Sequence, residues 1–286
     1  MTTTDAGWTI EELLQTCIAE ALRGANDGEP YWQSVRELQA RDPDEVWRHL
    51  EPISQHEHAR VRAIVPDVLR FLGQGSRPRL HDTVALFESM LRAAPAPELV
   101  ASIGLALGEL GVAEGVALMQ PFAQHPDADV RFAVVSACLG QREPAAIETL
   151  IALSADTEDH VRDWATFGLG TQVGPTEEGD ENAVDTQALR DALAARLEDS
   201  HVNTRSEAIV GLAARRDPRV LPILQREIDR GPELSLILEA ARWMASPSLY
   251  EGLKRLEAHE DPERRKFWLD HGLADAIAAC GRGRSV

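Results

Sequence analysis

The side chains in this sequence that come nearest to a chemical constellation are His49, His56 and His58. A zinc site needs three or four histidine, cysteine or carboxylate ligands on converging faces. His56 and His58 are two positions apart and would not share a helix face. No HExxH motif and no nearby cysteine completes a set. The run Gly104-Leu-Ala-Leu-Gly-Glu-Leu-Gly111 has the glycines of a phosphate cradle, but it sits inside a helical pattern. It reads as small residues for close helix packing. No GxSxG, GxGxxG or Walker-type loop is present. Serine, histidine and aspartate occur in numbers, yet nothing marks a triad. Cys17, Cys138 and Cys280 stand far apart without a CxxC. Such a sparse, odd set fits free thiols in a reducing compartment, and Cys138, in an apolar helix, is expected in the core. The expectation is therefore no catalytic residue, no metal and no cofactor.

Two segments suit recognition better than catalysis. Asp163-Trp164-Ala165-Thr166-Phe167 joins an acid to two aromatics, and tryptophan is a favoured interface anchor. The competing reading is that Trp164 fills the gap between neighbouring structural units. The second segment, Thr171 to Asp185, carries Glu177, Glu178, Asp180, Glu181 and Asp185 and no base. It lacks the ligand spacing and closing glutamate of a calcium loop. It reads either as a solvated insert or as a docking loop for a basic partner.

These segments belong to a recurring phrase. Asp127-Ala-Asp-Val130-Arg131-Phe-Ala-Val returns as Glu158-Asp-His-Val161-Arg162-Asp-Trp-Ala, and again as His201-Val-Asn-Thr204-Arg205-Ser-Glu-Ala. The step from Arg131 to Arg162 is 31 residues, and the acidic insert stretches the next step to 43. A fixed period in this range signals stacked supersecondary units. In each copy an acidic or polar residue caps a helix, Val130 or Val161 opens the buried stripe, and Ala133 and Ala165 allow close packing. The arginine falls in the first helical turn, where the dipole disfavours a cation, so something must offset it. Phe132 occupies the position of Asp163 one unit earlier.

Around the phrase, the hydrophobic period is helical throughout, with no strand-like alternation. Residues 9–23 read as a helix capped by Thr9, with Ile10, Leu13, Leu14, Ile18 and Leu22 as its stripe. Asp42-Pro43-Asp44 starts another. Val61, Ile64, Val65, Val68, Leu69 and Leu72 form one stripe ended by Gly73. Helices are also expected over 82–93, 113–123, 186–197, 218–230, 233–244 and 262–279. Residues 281–286 read as a frayed end.

Composition agrees. Of 286 residues, 44% are hydrophobic but only 5% aromatic, which favours closely packed helices over a β-sandwich. The formal charge of -18 opposes binding to phosphate backbones or anionic membranes and favours cationic partners. No apolar stretch is long enough to span a bilayer, and the first residues lack the pattern of a signal peptide. A cytoplasmic location is expected.

The phrase Asp-x-x-Val-Arg-x-x-Ala, followed by Leu139-Gly140 and Leu169-Gly170, resembles a HEAT repeat. The spacing is shorter than the usual HEAT length and is closer to the short HEAT-like units of phycobilisome lyases. The resemblance implies an all-α, right-handed α-solenoid, with an Arg–Asp ladder between repeats fed here by Asp127, Asp129, Asp156, Asp159 and Asp199. It also implies that the helix bearing Trp164 lines a concave binding surface. The expected organisation is a helical N-terminal cap over 1–55, a repeat array over 56–245 with the insert at 171–185, and a helical C-terminal cap over 246–286. The expected function is a non-catalytic scaffold that binds a protein or peptide, preferentially basic, through Arg131, Phe132, Arg162, Asp163, Trp164, Thr166 and Arg205, aided by the acidic loop. An inhibitor or immunity-type protein would be one such scaffold. The alternatives carried by the same resemblance are a chromophore lyase or chaperone, and a HEAT-like DNA glycosylase, the latter disfavoured by the charge.

Overall fold

The computed structural model describes residues 7–92, 96–177, 179–232 and 235–282, and the described residues are helical with turns, without strands. Contacts divide the chain into two compact units, Met1–Cys138 and Leu139–Val286. The division falls inside the expected array.

The first unit runs α1 (Ile10–Arg23), α2 (Glu29–Gln39), α3 (Pro43–Ile53), α4 (Ala59–Arg62), α5 (Ile64–Leu69), α6 (Leu80–Arg92), α7 (Pro97–Leu110), α8 (Glu114–Met119) and α9 (Ala128–Cys138). Thr9 begins α1 through a reciprocal capping box with Glu12, and Gly24 ends it at a φ of 79°. The buried stripe of α1 is Ile10, Leu13, Leu14, Cys17 and Ala21. Leu22, expected in that stripe, is 54% exposed, because the small Ala21 and Cys17 are the residues that turn inward. Asp42 caps α3 by accepting the Glu45 N–H at 2.9 Å.

The stripe from Val61 to Leu72 is buried as expected but is not one helix. It breaks at Ala63 into α4 and α5. Pro66 supplies no N–H to the turn before it, so the helical ladder cannot run through. Within this stripe lies Asp67, a carboxylate only 8% exposed. It accepts the Tyr31 hydroxyl at 2.7 Å and the Ser102 hydroxyl at 2.6 Å, joining α2, α5 and α7. Burial pushes its carboxyl above the usual range.

α7 packs most extensively against α9. A Cβ on Gly104 would lie 2.7 Å from the Ala133 Cβ and 2.9 Å from its carbonyl, and a Cβ on Gly108 would overlap Ser136. The glycines therefore set how closely the two helices approach, which is the packing role read from the sequence.

The second unit runs α10 (Pro144–Leu153), α11 (Asp159–Phe167), α12 (Gln187–Ala194), α13 (Val202–Ala214), α14 (Leu221–Arg230), α15 (Leu236–Met244), α16 (Tyr250–Glu257), α17 (Pro262–Asp270) and α18 (Leu273–Gly281). α11, α13, α15 and α18 pack in sequence as one row, and α10, α12, α14 and α16 pack against it. The alternation matches helix pairs stacked side by side. α11 leaves through a wide π-type turn, Gly168–Gln172. There Gly170 meets Gly211 of α13 backbone to backbone: a Cβ on Gly211 would come within 2.6 Å of the Gly170 Cα. The helix expected over 262–279 is two helices, because Gly272 at a φ of 99° breaks it.

Candidate functional site

The arginine in the first turn of the repeating helix is held locally by main-chain carbonyls. Arg62 donates to the carbonyls of His56 and Glu57 at 2.7 and 3.1 Å. Arg131 does the same with His125 and Pro126 at 2.9 and 3.1 Å. Arg162 reaches the Asp156 carbonyl at 2.9 Å, Arg205 that of Asp199 at 2.6 Å, and Arg265 that of His259 at 2.7 Å. Each guanidinium reaches back six residues and closes the loop that leads into its own helix. The residue whose carbonyl it takes also accepts, through its side chain, the backbone N–H two positions on. That acceptor is Nδ1 of His56, His125 and His259 at 3.1 Å, and Oδ1 of Asp156 and Asp199 at 2.9 Å. The signal His/Asp-x5-Arg thus extends the motif to Val61-Arg62 and to Arg265, beyond the three copies read from the sequence.

His56, considered above as a metal ligand, belongs to this loop device. His49 bridges the Glu45 carbonyl and the Glu11 carboxylate at 2.8 Å each.

Arg162 makes a ladder rung. Its Nε and Nη2 bind Asp199 at 2.8 and 3.1 Å, and Nη2 also binds Asp159 at 2.6 Å. Burial works against the Asp199 charge, but the hydrogen bonds from Arg162 and from the His201 N–H hold its carboxyl below the usual range. Arg162 is itself 7% exposed, so it is a structural rung with little surface to offer a partner.

The other expected contact residues separate. Arg131 and Phe132, both half-buried, belong to the first unit; Arg162, Asp163, Trp164, Thr166 and Arg205 belong to the second. Thr166 is fully buried, and its hydroxyl donates to the Arg162 carbonyl at 2.7 Å. A partner cannot touch it, which corrects the expectation. Trp164 is 43% exposed and meets Phe167 edge to face at 5.5 Å. Asp163 beside it is half-buried, 3.4 Å from the Thr204 hydroxyl and 3.8 Å from His201 Nδ1.

Asp163 is one of three carboxylates carried by successive helices of the row, with Glu207 on α13 and Glu239 on α15. Desolvation raises the carboxyls of Asp163 and Glu207, and Asp163 and Glu239 both add repulsion at Glu207. Glu207 is partly relieved by the Thr171 hydroxyl at 2.9 Å. Trp243 lies beside Glu239, its indole N–H 3.4 Å from the carboxylate. Glu207 and Glu239 carried no local signal in the sequence; only alignment of the three inner helices places them beside Asp163.

The insert at 171–185 is tied to the second unit by arginines outside it. Arg215, buried, donates to the carbonyls of Leu169, Gly170, Gly211 and Val184 at 2.8–3.1 Å. Burial lowers its pKa to about 10. Arg190 grips Asp185 with two bonds of 2.6 Å, and Arg142 donates to the Asn182 carbonyl. Asp180 accepts the N–H groups of Thr176 and Asn182 and so folds its own turn. Asp180 and Asp185 thus help to hold the loop, and Asp185 stays 40% exposed while doing so. Glu177 and Glu181 are exposed, and Glu178 lies outside the described residues.

Comparison with known proteins fits this geometry. Residues 84–170 match the family described as HEAT repeats. The fold is all-α and of the α-solenoid class, with the HEAT-repeat match confined to residues 84–170. Over 121 residues the chain is 32% identical to protein YibA of Escherichia coli K12, a match covering 42% of this chain and 40% of YibA. The chain thus spans 40% of the length of the curated relatives it matches. The crystal structure of YibA from E. coli aligns with 94% of this chain and 98% of its own, at a TM-score of 0.64 and 22% identity. An engineered protein aligns with 93% of this chain and 78% of its own, at a TM-score of 0.52 and 17% identity. These two likenesses bear on fold alone. Among the described residues no helix is long and apolar enough to cross a membrane.

Proposed function

We propose that this protein is a non-catalytic binding scaffold that takes a basic protein or peptide segment on the inner helix row of its second unit. The observation that carries the reading is the run of Asp163, Glu207 and Glu239 across α11, α13 and α15, with Asp163 and Glu207 held above their ordinary carboxyl pKa first by desolvation, and Glu207 also by repulsion from Asp163 and Glu239. Crowded carboxylates cost stability in the free protein and are relieved when a cation sits among them. Trp164 and Trp243 flank the run and supply aromatic surface for the aliphatic stems and charged heads of lysine or arginine. The net charge of -18 would speed encounter with such a partner. Three buried free cysteines support a reducing, cytoplasmic setting. The 31-residue step between Arg131 and Arg162 supports the short, phycobilisome-lyase type of HEAT-like repeat.

The test is titration of the full chain with a fluorescent lysine- and arginine-rich peptide, and with a glutamate-rich control, at matched ionic strength. Saturable binding of the basic peptide, weakened about tenfold in Glu207→Gln plus Glu239→Gln, supports the reading. Equal binding by wild type and variant rejects this face. A capture experiment from lysate with Trp164→Ala plus Asp163→Arg then asks which natural partner is lost.

A further inference from the structure

We propose that the second unit also binds a small organic anion, a phosphate monoester or carboxylate on a short apolar body, in a pocket of about 230 Å³ framed by α13, α14, α15 and α17. This site is separate from the carboxylate face and asks for a ligand of opposite charge.

The charge pattern is the first reason. Acids outnumber bases in this chain, and in this unit Arg162, Arg190, Arg196, Arg219, Arg226 and Arg255 each pair with a carboxylate. Arg205 and Arg264 line the pocket and, among the described residues, form no ion pair. Arg205 donates to the Asp199 carbonyl, and Arg264 to the Gly231 carbonyl at 3.4 Å. Asp261 feels the charge of Arg264 but is occupied with the backbone N–H groups of Glu263 and Arg264 as the cap of α17. The third arginine, Arg230, faces Glu227 at 3.4 Å, so this pair roughly cancels. The pocket therefore keeps two guanidiniums that make no direct carboxylate pair among the described residues.

Preorganisation is the second reason. Arg264 lies over the face of Trp268 at 5.3 Å. Trp268 is 1% exposed and fixed by its indole N–H on the Pro232 carbonyl at 2.8 Å. Gly231, at a φ of 81°, lets both approach: a Cβ there would stand 3.1 Å from Arg264 Nη2 and from the Trp268 ring. Arg205 is held in turn by its own loop. Guanidiniums fixed on carbonyls and a ring lose little freedom on binding, and their planar forks match phosphate and carboxylate oxygens.

The remaining lining defines the body of the ligand. Ile209 and Ile237, both nearly fully buried, present apolar walls, and Val202 stands 46% exposed at the mouth. The volume lies below the roughly 300–1,000 Å³ of sites for drug-sized molecules, so the apolar part is short.

The experiment is calorimetric titration of the full chain with octyl phosphate, octanoate and inorganic phosphate at one ionic strength. One-to-one saturation by octyl phosphate or octanoate, tighter than by inorganic phosphate, is expected. The tighter of the two identifies the head group. Arg264→Gln should weaken that binding about tenfold, the scale of one lost charge-assisted pair. Arg230→Gln, on the solvent side, should weaken it about threefold with the fold intact, since it leaves Glu227 facing the anion. Absence of saturable heat with all three probes overturns the proposal. Binding unchanged in both variants, with unchanged melting curves, overturns it equally.

Discussion

Arg162 and Asp199 face each other through two parallel hydrogen bonds, with side chains 9% and 5% exposed. The pair links α11 to the loop before α13, so one interaction spans two successive helix pairs. Breaking it from one side is expected to be severe. Arg162→Ala leaves the buried Asp199 with Arg196 at 3.3 Å as its remaining cation and should cost about 3 kcal/mol, the low end for a broken buried pair. Arg162→Met together with Asp199→Leu should recover most of that loss. Denaturant melts of the three variants provide the check, and equal losses in the single and double variants would refute the account.

The same pair predicts acid sensitivity. Asp199 has a folded pKa below its unfolded value. Its contribution is therefore present above the ordinary aspartate range of about 3.9 and is lost as pH falls through the lower folded value. The stability difference between wild type and Asp199→Asn should be largest near neutrality and shrink below about pH 4. Asp217, held at about 2 by its hydrogen bond with Arg219, should behave the same way.

Glu207 predicts the opposite sign. Its folded pKa is raised, first by desolvation. The stability associated with its protonated form is complete below its unfolded pKa and is lost as pH rises through the folded one. Glu207→Gln should then raise the melting temperature at pH 7 by about 2–4 °C, the shift expected from roughly 1 kcal/mol in a chain of this size. The gain should vanish in acid. His201 Nδ1 lies 3.8 Å from Asp163 on the same face, so the melts are repeated in His201→Gln to separate its contribution.

Arg215 is predicted to control the insert. Arg215→Met leaves the carbonyls of Leu169, Gly170, Gly211 and Val184 without this donor, at about 1–3 kcal/mol for each that stays buried. Limited proteolysis should cut within residues 171–185 several-fold faster in the variant, because cleavage follows the population of the opened loop. An unchanged cleavage rate would show that Arg190 and Arg142 hold the loop without it.

The three thiols are predicted to be inert in the folded protein. Burial pushes Cys17 and Cys138 to about 12 and Cys280 to about 11. Thiolate supply limits alkylation. Iodoacetamide at pH 8 should label them only at the rate of unfolding; rapid labelling of the native chain would contradict their burial.

The helical pairs were legible in the sequence because apolar period, caps and glycine stops are local signals. Thr9, Asp42 and Gly24 behave as those signals dictate. The Arg131, Arg162 and Arg205 phrase located the repeating helix, whereas for Trp164 the sequence left packing between units and an exposed face both open, and its ring is 43% exposed. Thr166 was misplaced because a helical threonine can turn back to the carbonyl four residues before it. The Tyr31–Asp67–Ser102 knot was not legible, since its members lie far apart in sequence and Asp67 sits unannounced in an apolar stripe. Glu207 and Glu239 stayed hidden for a related reason: they meet Asp163 only after helices separated by an irregular insert have been brought into line. Arg62 and Arg265 were overlooked because the mark they share with Arg131, Arg162 and Arg205 is a His or Asp six residues earlier, outside the acidic-Val-Arg-Ala phrase that was followed.

The main-chain partner of these arginines bears on how such a chain can grow. An arginine answered by a side chain in the next repeat ties each copy to a particular neighbour. The bond of an arginine to the main chain six residues behind it is closed within a seven-residue segment, whatever else that arginine touches. A copy of that segment carries its own punctuation, so a helix pair can be duplicated, deleted or separated by an insert such as 171–185 while its opening turn still closes.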